Sequence, residues 1–252
     1  KRYWIVEKMK KISQSIDEAN LSQRDSYGRN DRKNITGLII AAGLSSRMGK
    51  FKPLLKLNNN SFVRTIIEKM TLFCDEVIVI TGHNKELMDL ELSEVKQNDK
   101  IKIVYNDKYK EGMFTSLLKG IEHSTSGNWV LYHFVDQPGI PESFYEQIIS
   151  EIDNDFDWIQ PTYKGKKGHP ILFNEKVARA ILASNTNSNL KQISSKNDFR
   201  KKFVEVLTPS IFFDIDTVDD YKELTKQVDN NWICSYLFSI KLGNESIIQK
   251  IQ

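Results

Sequence analysis

Leu38-Ile39-Ile40-Ala41-Ala42-Gly43-Leu44-Ser45-Ser46-Arg47-Met48-Gly49-Lys50-Phe51-Lys52-Pro53-Leu54-Leu55 begins as an apolar run and breaks into a polar loop. The run Gly37–Ala42 is near-continuously apolar rather than alternating, which suits a strand covered on both faces. Its small final residues let a ligand approach the backbone, and free N–H groups in the following loop can cradle phosphate oxygens. Arg47 and Lys52 add charge-assisted donors for a polyanion. Two familiar phosphate loops are excluded. The stretch from Gly43 to Gly49 has one residue too many for a P-loop, and Phe51 stands where Ser or Thr is required. No G-x-G-x-x-G occurs anywhere in the chain.

Outward from this stretch, apolar runs alternate with helical periodicity. Val77–Ile80, Ile101–Val104 and Trp129–Val135 read as further strands, and residues 61–73, 83–92, 113–123 and 141–152 as helices. Pro141 followed by Glu142 marks a helix start. Such alternation predicts an α/β fold: three layers, αβα, around a mostly parallel Rossmann-like sheet. Residues 157–162 and 170–173, joined by a turn at 164–168, predict a small hairpin beside that sheet. Asn174 is placed to cap a helix through Leu182. Two short apolar runs, Phe203–Leu207 and Ile211–Ile215, precede a helix from about Val218.

The ends differ from the middle. Ile5, Met9, Ile12, Ile16 and Ala19 form a narrow helical stripe, followed by a polar linker from Ser22 to Asn34. Trp232, Ile233, Tyr236, Leu237 and Ile240 also fall at helical spacing. The division is therefore 1–33 as an N-terminal helix and linker, 34–229 as one globular domain, and 230–252 as a C-terminal helical extension. The opening helix reads as an appendage that docks on its own domain or on a partner chain. The two terminal helices are candidates for packing together, for a homo-oligomer contact, or for docking another protein.

Composition restricts function without naming it. With 36 Lys and Arg against 33 Asp and Glu, the net charge is +3, too small for whole-surface attraction to nucleic acid or membrane. No apolar run approaches the roughly 18 residues a membrane span needs, and Lys1–Trp4 do not look like a signal peptide. Cys74 and Cys234 form no C-x-x-C pair, which reads as a reducing, cytoplasmic setting.

Asp136 directly follows the strand 129–135, at the sheet edge where open α/β folds bind ligands. A carboxylate there can hold Mg²⁺ together with phosphate oxygens. Asp216 also follows an apolar run, with Asp214 as the alternative. Taken singly, each of these is equally a turn or capping Asp. His123 and His133 have no carboxylate or Cys partners at metal-ligand spacing, so neither suggests zinc. His83 reads equally as an exposed helix-start residue, His169 as a positioning residue rather than a catalytic base, and the lysines at 164, 166 and 167 as a solvated hairpin tip or an anion contact.

Several segments together resemble one family. A-A-G-x-S-S-R-M-G-x-x-K-x-L-L over Ala41–Leu55 is similar to the nucleotide-binding signature of the molybdenum cofactor nucleotidylyltransferases. These belong to the glycosyltransferase-A-like nucleotidyltransferases. Thr81-Gly82-His83, the stretch Asn106–Gly120 with Gly112-Met113 and Ser116, Asp136-Gln137-Pro138, Gly168-His169-Pro170 and Asp214–Tyr221 resemble further family motifs in family order. The last departs from the pattern, with Val218 in place of Pro.

The resemblance implies nucleotide-binding roles for Ala41, Ala42, Gly43, Ser45, Ser46, Arg47, Lys52, Thr81, Gly82, Asn106, Gly112 and Ser116. It implies an acceptor side at Gln137, Pro138, Gly168, His169 and Pro170, Mg²⁺ on Asp136 and Asp216, and catalysis by Arg47, Lys52 and Asp136. The expected reaction moves CMP from CTP, or a nucleotidyl group from another nucleoside triphosphate, to the terminal phosphate of molybdopterin, releasing pyrophosphate. The cytidylyltransferase branch fits best, since the guanylyltransferase branch usually reads Asp-Lys at Phe51-Lys52 and lacks G-H-P. A guanylyl- or sugar-phosphate nucleotidylyltransferase stays open, as does a non-catalytic carrier that delivers the cofactor to a molybdenum-enzyme acceptor protein. No nucleic-acid partner is expected.

Overall fold

A computed structural model describes residues 34–125, 128–196 and 198–226, so the two terminal helical segments expected from the sequence lie outside the described residues. The strands are β1 (Ile35–Ile40), β2 (Lys56–Leu57), β3 (Asn60–Ser61), β4 (Glu76–Thr81), β5 (Ile101–Tyr105), β6 (Trp129–Phe134), β7 (Trp158–Tyr163), β8 (Lys166–Lys167), β9 (Ile171–Asn174) and β10 (Lys201–Glu205). The helices are α1 (Phe62–Phe73), α2 (Lys85–Glu91), α3 (Met113–His123), α4 (Glu142–Ser150), α5 (Glu175–Leu182) and α6 (Leu190–Lys196). Residues 218–226 are helical as well.

The main sheet runs β10-β7-β9-β6-β1-β4-β5, with β8 attached to β7. β1 pairs in parallel with both β4 and β6, and β5 continues the parallel set. All six residues of β1 are buried, as its continuous apolar pattern requires. Its alternate side chains enter two cores. Ile35 and Ile39 join Ile66 and Met70 of α1 and Phe144 and Ile148 of α4. Leu38 and Ile40 join Leu117 and Ile121 of α3 and Val177 and Ile181 of α5. The three-layer expectation therefore holds. Gly120 lets α3 settle on β1, for a Cβ there would lie 2.3 Å from Leu38 Cδ1.

The expected hairpin differs from what is found. β7 and β8 do form one, but β9 lies inside the sheet, antiparallel to both β6 and β7. Ile171, Leu172 and Phe173 are all buried, and a strand apolar on both faces gains more from an interior position than from a flanking one. The apolar run Ile211–Ile215 forms no strand: Pro209 starts a short 3-10 turn to Phe212, and irregular chain follows.

Polar side chains fix the edges. The Asn174 side chain caps α5, accepting from the N–H of Lys176 at 3.0 Å and of Val177 at 3.3 Å. Its amide also donates to Asp157 Oδ1 at 3.1 Å. Burial alone would raise the Asp157 carboxyl, but the Arg200 N–H, Lys176 and Asn174 outweigh it and hold it below its ordinary value. This ties β7, β9 and β10 together. On β6, His133 is fully buried, with Nδ1 beside Phe134 O and Nε2 beside Tyr145 OH, both at 2.8 Å.

Candidate active site

β1 ends at Ile40, and the chain then leaves the sheet through Ala41 and Ala42, which are buried. The loop that follows is shaped by two left-handed residues, Ser45 (φ 55°) and Gly49 (φ 65°). A short 3-10 turn spans Ser46–Met48. The Ser45 hydroxyl accepts from the Lys52 N–H at 3.0 Å, closing the loop onto the start of a second 3-10 turn. This closure directs Lys52 inward, where the residue is 7% exposed.

The buried ammonium meets two carboxylates. Lys52 Nζ lies 2.5 Å from Asp216 Oδ1 and 3.7 Å from Asp136 Oδ2. Arg47 Nη1 contacts the other Asp216 oxygen at 2.6 Å from the solvent side. Residues separated by more than 160 positions in the chain thus converge at one point. The convergence follows from topology, because β1 and β6 are parallel neighbours whose carboxyl ends share one edge. The Ile215 N–H donates to the Asp136 carbonyl at 2.9 Å, which brings the 214–216 segment against that edge.

Electrostatics distinguish the acids. Burial raises the Asp136 carboxyl to about 6, Asp214 and Asp216 push in the same direction, and Lys52 opposes them. Asp214 is also raised, mainly by burial, although the Gln137 side chain donates to it at 2.8 Å. Asp136 Oδ1 is buried with no hydrogen-bond partner among the described residues. An orphaned carboxylate oxygen beside a second acid fits the chemistry of a divalent cation that takes the rest of its shell from phosphate and water. Among the described residues no cluster of three or more acidic, His or Cys side chains forms a self-sufficient metal cage.

A cleft of about 400 Å³ opens above this point. Of the residues expected to bind nucleotide, Ala42, Gly43, Ser45, Ser46, Arg47, Lys52, Gly112 and Ser116 line it, and so does Asp136. Gly112 has φ 120°, a backbone setting that side chains rarely adopt, and it turns the chain into α3. Asn106 is placed behind the lining: its amide donates to the hydroxyls of Thr115 and Ser116, both at 2.9 Å. Thr81 is buried in β4 with its carbonyl bonded to the Asn106 N–H. Gly82 packs under Tyr109, where a Cβ would approach to 2.6 Å. Ala41 forms part of the core.

The acceptor-side residues form a neighbouring wall rather than the lining of this cleft. Because β9 runs antiparallel to β6, its leading residues His169 and Pro170 return to the edge that carries Asp136. The backbone N–H of His169 and the Gln137 amide both donate to the Ile211 carbonyl, each at 3.3 Å. Gly168 is pressed against Ile211. His169 Nδ1 and Gln137 Oε1 are buried without partners among the described residues, and burial lowers the His169 imidazole to about 4. Pro138 offers its carbonyl to Lys69 Nζ at 2.9 Å, and Ile140 does the same at 2.7 Å.

Lys69 was not foreseen from sequence. Neither were Tyr109, Lys110, Met113 and Phe134 as cleft-lining residues. The strand and helix motifs contain them, but nothing in local spacing says which member of an apolar run faces a cavity.

Comparison with known proteins gives the family and the fold. The family profile described as a MobA-like NTP transferase domain matches residues 37–201, which include Arg47, Lys52 and Asp136 but not Asp216. A molybdenum cofactor cytidylyltransferase from Escherichia coli K12 is 31% identical over 185 residues, covering 73% of this chain and 92% of its own length. A probable molybdenum cofactor guanylyltransferase from Bacillus cytotoxicus is 25% identical over 199 residues, covering 76% and 96%. Among solved structures, a nucleotidyl transferase from Methanothermobacter has the same fold, with a TM-score of 0.67 at 22% identity, covering 79% of this chain and 100% of that one. The chain therefore belongs to the MobA-like NTP transferase family and is a nucleotidyltransferase of its molybdenum cofactor group, cytidylyl or guanylyl.

Proposed function

We propose that the chain transfers CMP from CTP to the terminal phosphate of molybdopterin and releases pyrophosphate, with Mg²⁺ held by Asp136 and Asp216. The observation that carries this reading is the meeting of Lys52 with both carboxylates at the base of a cleft walled by the 43–52 loop. The 31% identity to a cytidylyltransferase and the Gly168-His169-Pro170 motif favour CTP over GTP.

A bound Mg²⁺ would neutralise charge on the triphosphate and steady the leaving pyrophosphate. The protein's own part is positioning. The backbone around residues 43–46 presents N–H groups to phosphate oxygens, and Arg47 at the cleft rim is free to leave Asp216 for the outer phosphates. Lys52 is held at the base, where charge builds as the bond to the leaving group breaks. The acceptor phosphate is already largely ionised near neutral pH, so no general base is required. His169, kept neutral by burial, serves position rather than proton transfer.

Incubation with α-³²P-labelled CTP, Mg²⁺ and molybdopterin tests the reading. Label should move into a molybdopterin dinucleotide. Transfer from GTP alone would reassign the base, and no transfer from any triphosphate would overturn the proposal.

A further inference from the structure

The turn that carries Asp136 joins β6 to α4 and includes two prolines, Pro138 and Pro141, which donate no backbone bond. Its far end is fixed by Ile140, whose side chain is buried in the core. One flank leans on the 211–216 segment. Gln137 Nε2 donates to the Ile211 carbonyl and to Asp214 Oδ1, and the Ile215 N–H donates to the Asp136 carbonyl. The other flank faces a hollow of about 570 Å³, lined by Pro138, Gly139 and Glu142 and, from α1, by Lys69 and Leu72.

At this hollow one side chain braces the turn. Lys69 Nζ donates to the Pro138 carbonyl at 2.9 Å and to the Ile140 carbonyl at 2.7 Å, so its two bonds bracket Gly139. The base of the brace is firm, because Ile66, Ile67 and Met70 of the same helix are fully buried.

Stability alone is a poor account of this lysine. Burial pushes its ammonium down to about 8, against the pull of Glu142 and Glu68. Among the described residues its partners are the two carbonyls, and no carboxylate pairs with it. A charge buried without an ion pair costs the fold free energy. Two directed bonds to one turn, in contrast, fix a geometry.

We propose that Lys69 is a positioning residue for the transfer. Its bonds hold the 138–140 turn against α1 and so set Asp136, and through the Ile215 N–H the 214–216 segment, where both acids meet Lys52. The proposal rests on the reading of Asp136 as the catalytic carboxylate. Lys69 touches neither acid and does not line the cleft, so it acts through the backbone. Without it, water can reach both carbonyls from the hollow, so the fold survives while the turn gains freedom. The 43–52 loop lies outside the braced turn and keeps its hold on the triphosphate.

Lys69→Met, which keeps side-chain length and removes the donors, provides the test. Hydrogen exchange read by mass spectrometry should quicken about tenfold in peptides covering 136–140 and 213–217, with β1 and β4 unchanged. The thermal midpoint should stay within about 3 °C of wild type. In transfer assays kcat should fall about tenfold while KM for CTP moves by less than about twofold. Lys69→Arg, which can donate to both carbonyls, should recover kcat to within about threefold of wild type. Unchanged exchange at 136–140, or an unchanged kcat, in Lys69→Met would overturn the proposal. So would an equal loss of kcat in Lys69→Arg, or unfolding of Lys69→Met with faster exchange throughout the chain. Exchange needs no turnover, so the brace is tested separately even if the transferase reading fails.

Discussion

At the scale of single residues, the site depends on how Lys52 and two acids share one point. Lys52 is nearly buried, and its ammonium is held there chiefly by Asp216 at 2.5 Å, with Asp136 farther off at 3.7 Å. Asp136 is the costly member, because burial and neighbouring acids raise its carboxyl to about 6. Replacing it with Asn should lower kcat by at least about a thousandfold. The same change should leave the thermal midpoint at pH 7.5 equal or higher, because it removes a buried charge that the fold disfavours. A variant that lost both activity and stability would contradict that account.

Arg47 makes the opposite prediction. Its side chain is 73% exposed, so the ion pair with Asp216 adds little stability. Arg47→Ala should keep the melting temperature and raise KM for the triphosphate by about tenfold. Arg47, Lys52 and Asp136 sit in compact motifs that follow β1 and β6, so their nearness to one sheet edge was legible in the sequence. Asp216 follows no strand and reaches that edge through the bond from Ile215 N–H to the Asp136 carbonyl. Lys69 was not legible, since its role exists only where α1 meets the 136–140 turn.

At the scale of elements, continuous apolar runs announced the buried strands, and Pro141-Glu142 and Asn174 announced helix starts. The place of β9 was hidden. A hairpin pattern gives the pairing of neighbours in sequence, whereas insertion beside β6 depends on which edge offers a complementary apolar face. That insertion is what returns His169 to the site. Two substitutions probe the elements. Gly120→Val drives a side chain into Leu38 and should destabilise by about 1–3 kcal/mol in urea unfolding. Asn174→Ala removes the α5 cap and a donor to Asp157, at a cost of about 1–2 kcal/mol. Unfolding midpoints at wild-type values would refute both contacts.

For the whole molecule, acid should be the weak direction. Burial lowers His133 to about 3 and His169 to about 4, so between those values and about 6.5 the unfolded chain binds more protons and gains on the fold. Asp136 acts with opposite sign, favouring the fold as pH falls through about 6. Asp214, raised by burial, opposes the loss in the same way. The histidines, however, begin to lose stability already near 6.5, and the lowered carboxyls of Asp157 and Glu76 add to the loss in stronger acid. Calorimetry of the metal-free protein should show a falling melting temperature from about pH 7 to about pH 5, with a smaller fall in His133→Gln. An identical fall in that variant would show that His133 is not the source. Among the described residues no helix is long and apolar enough to cross a membrane.

The central claim joins these scales: the edge of one parallel sheet brings Arg47, Lys52, Asp136 and Asp216 together to move a nucleotidyl group. Pyrophosphate release measured with Mg²⁺, molybdopterin and each of the four common ribonucleoside triphosphates in turn tests it most directly. Rapid release with CTP, lost in Asp136→Asn and absent without molybdopterin, is the result expected. No release with any triphosphate, from protein that is folded by calorimetry, would contradict it.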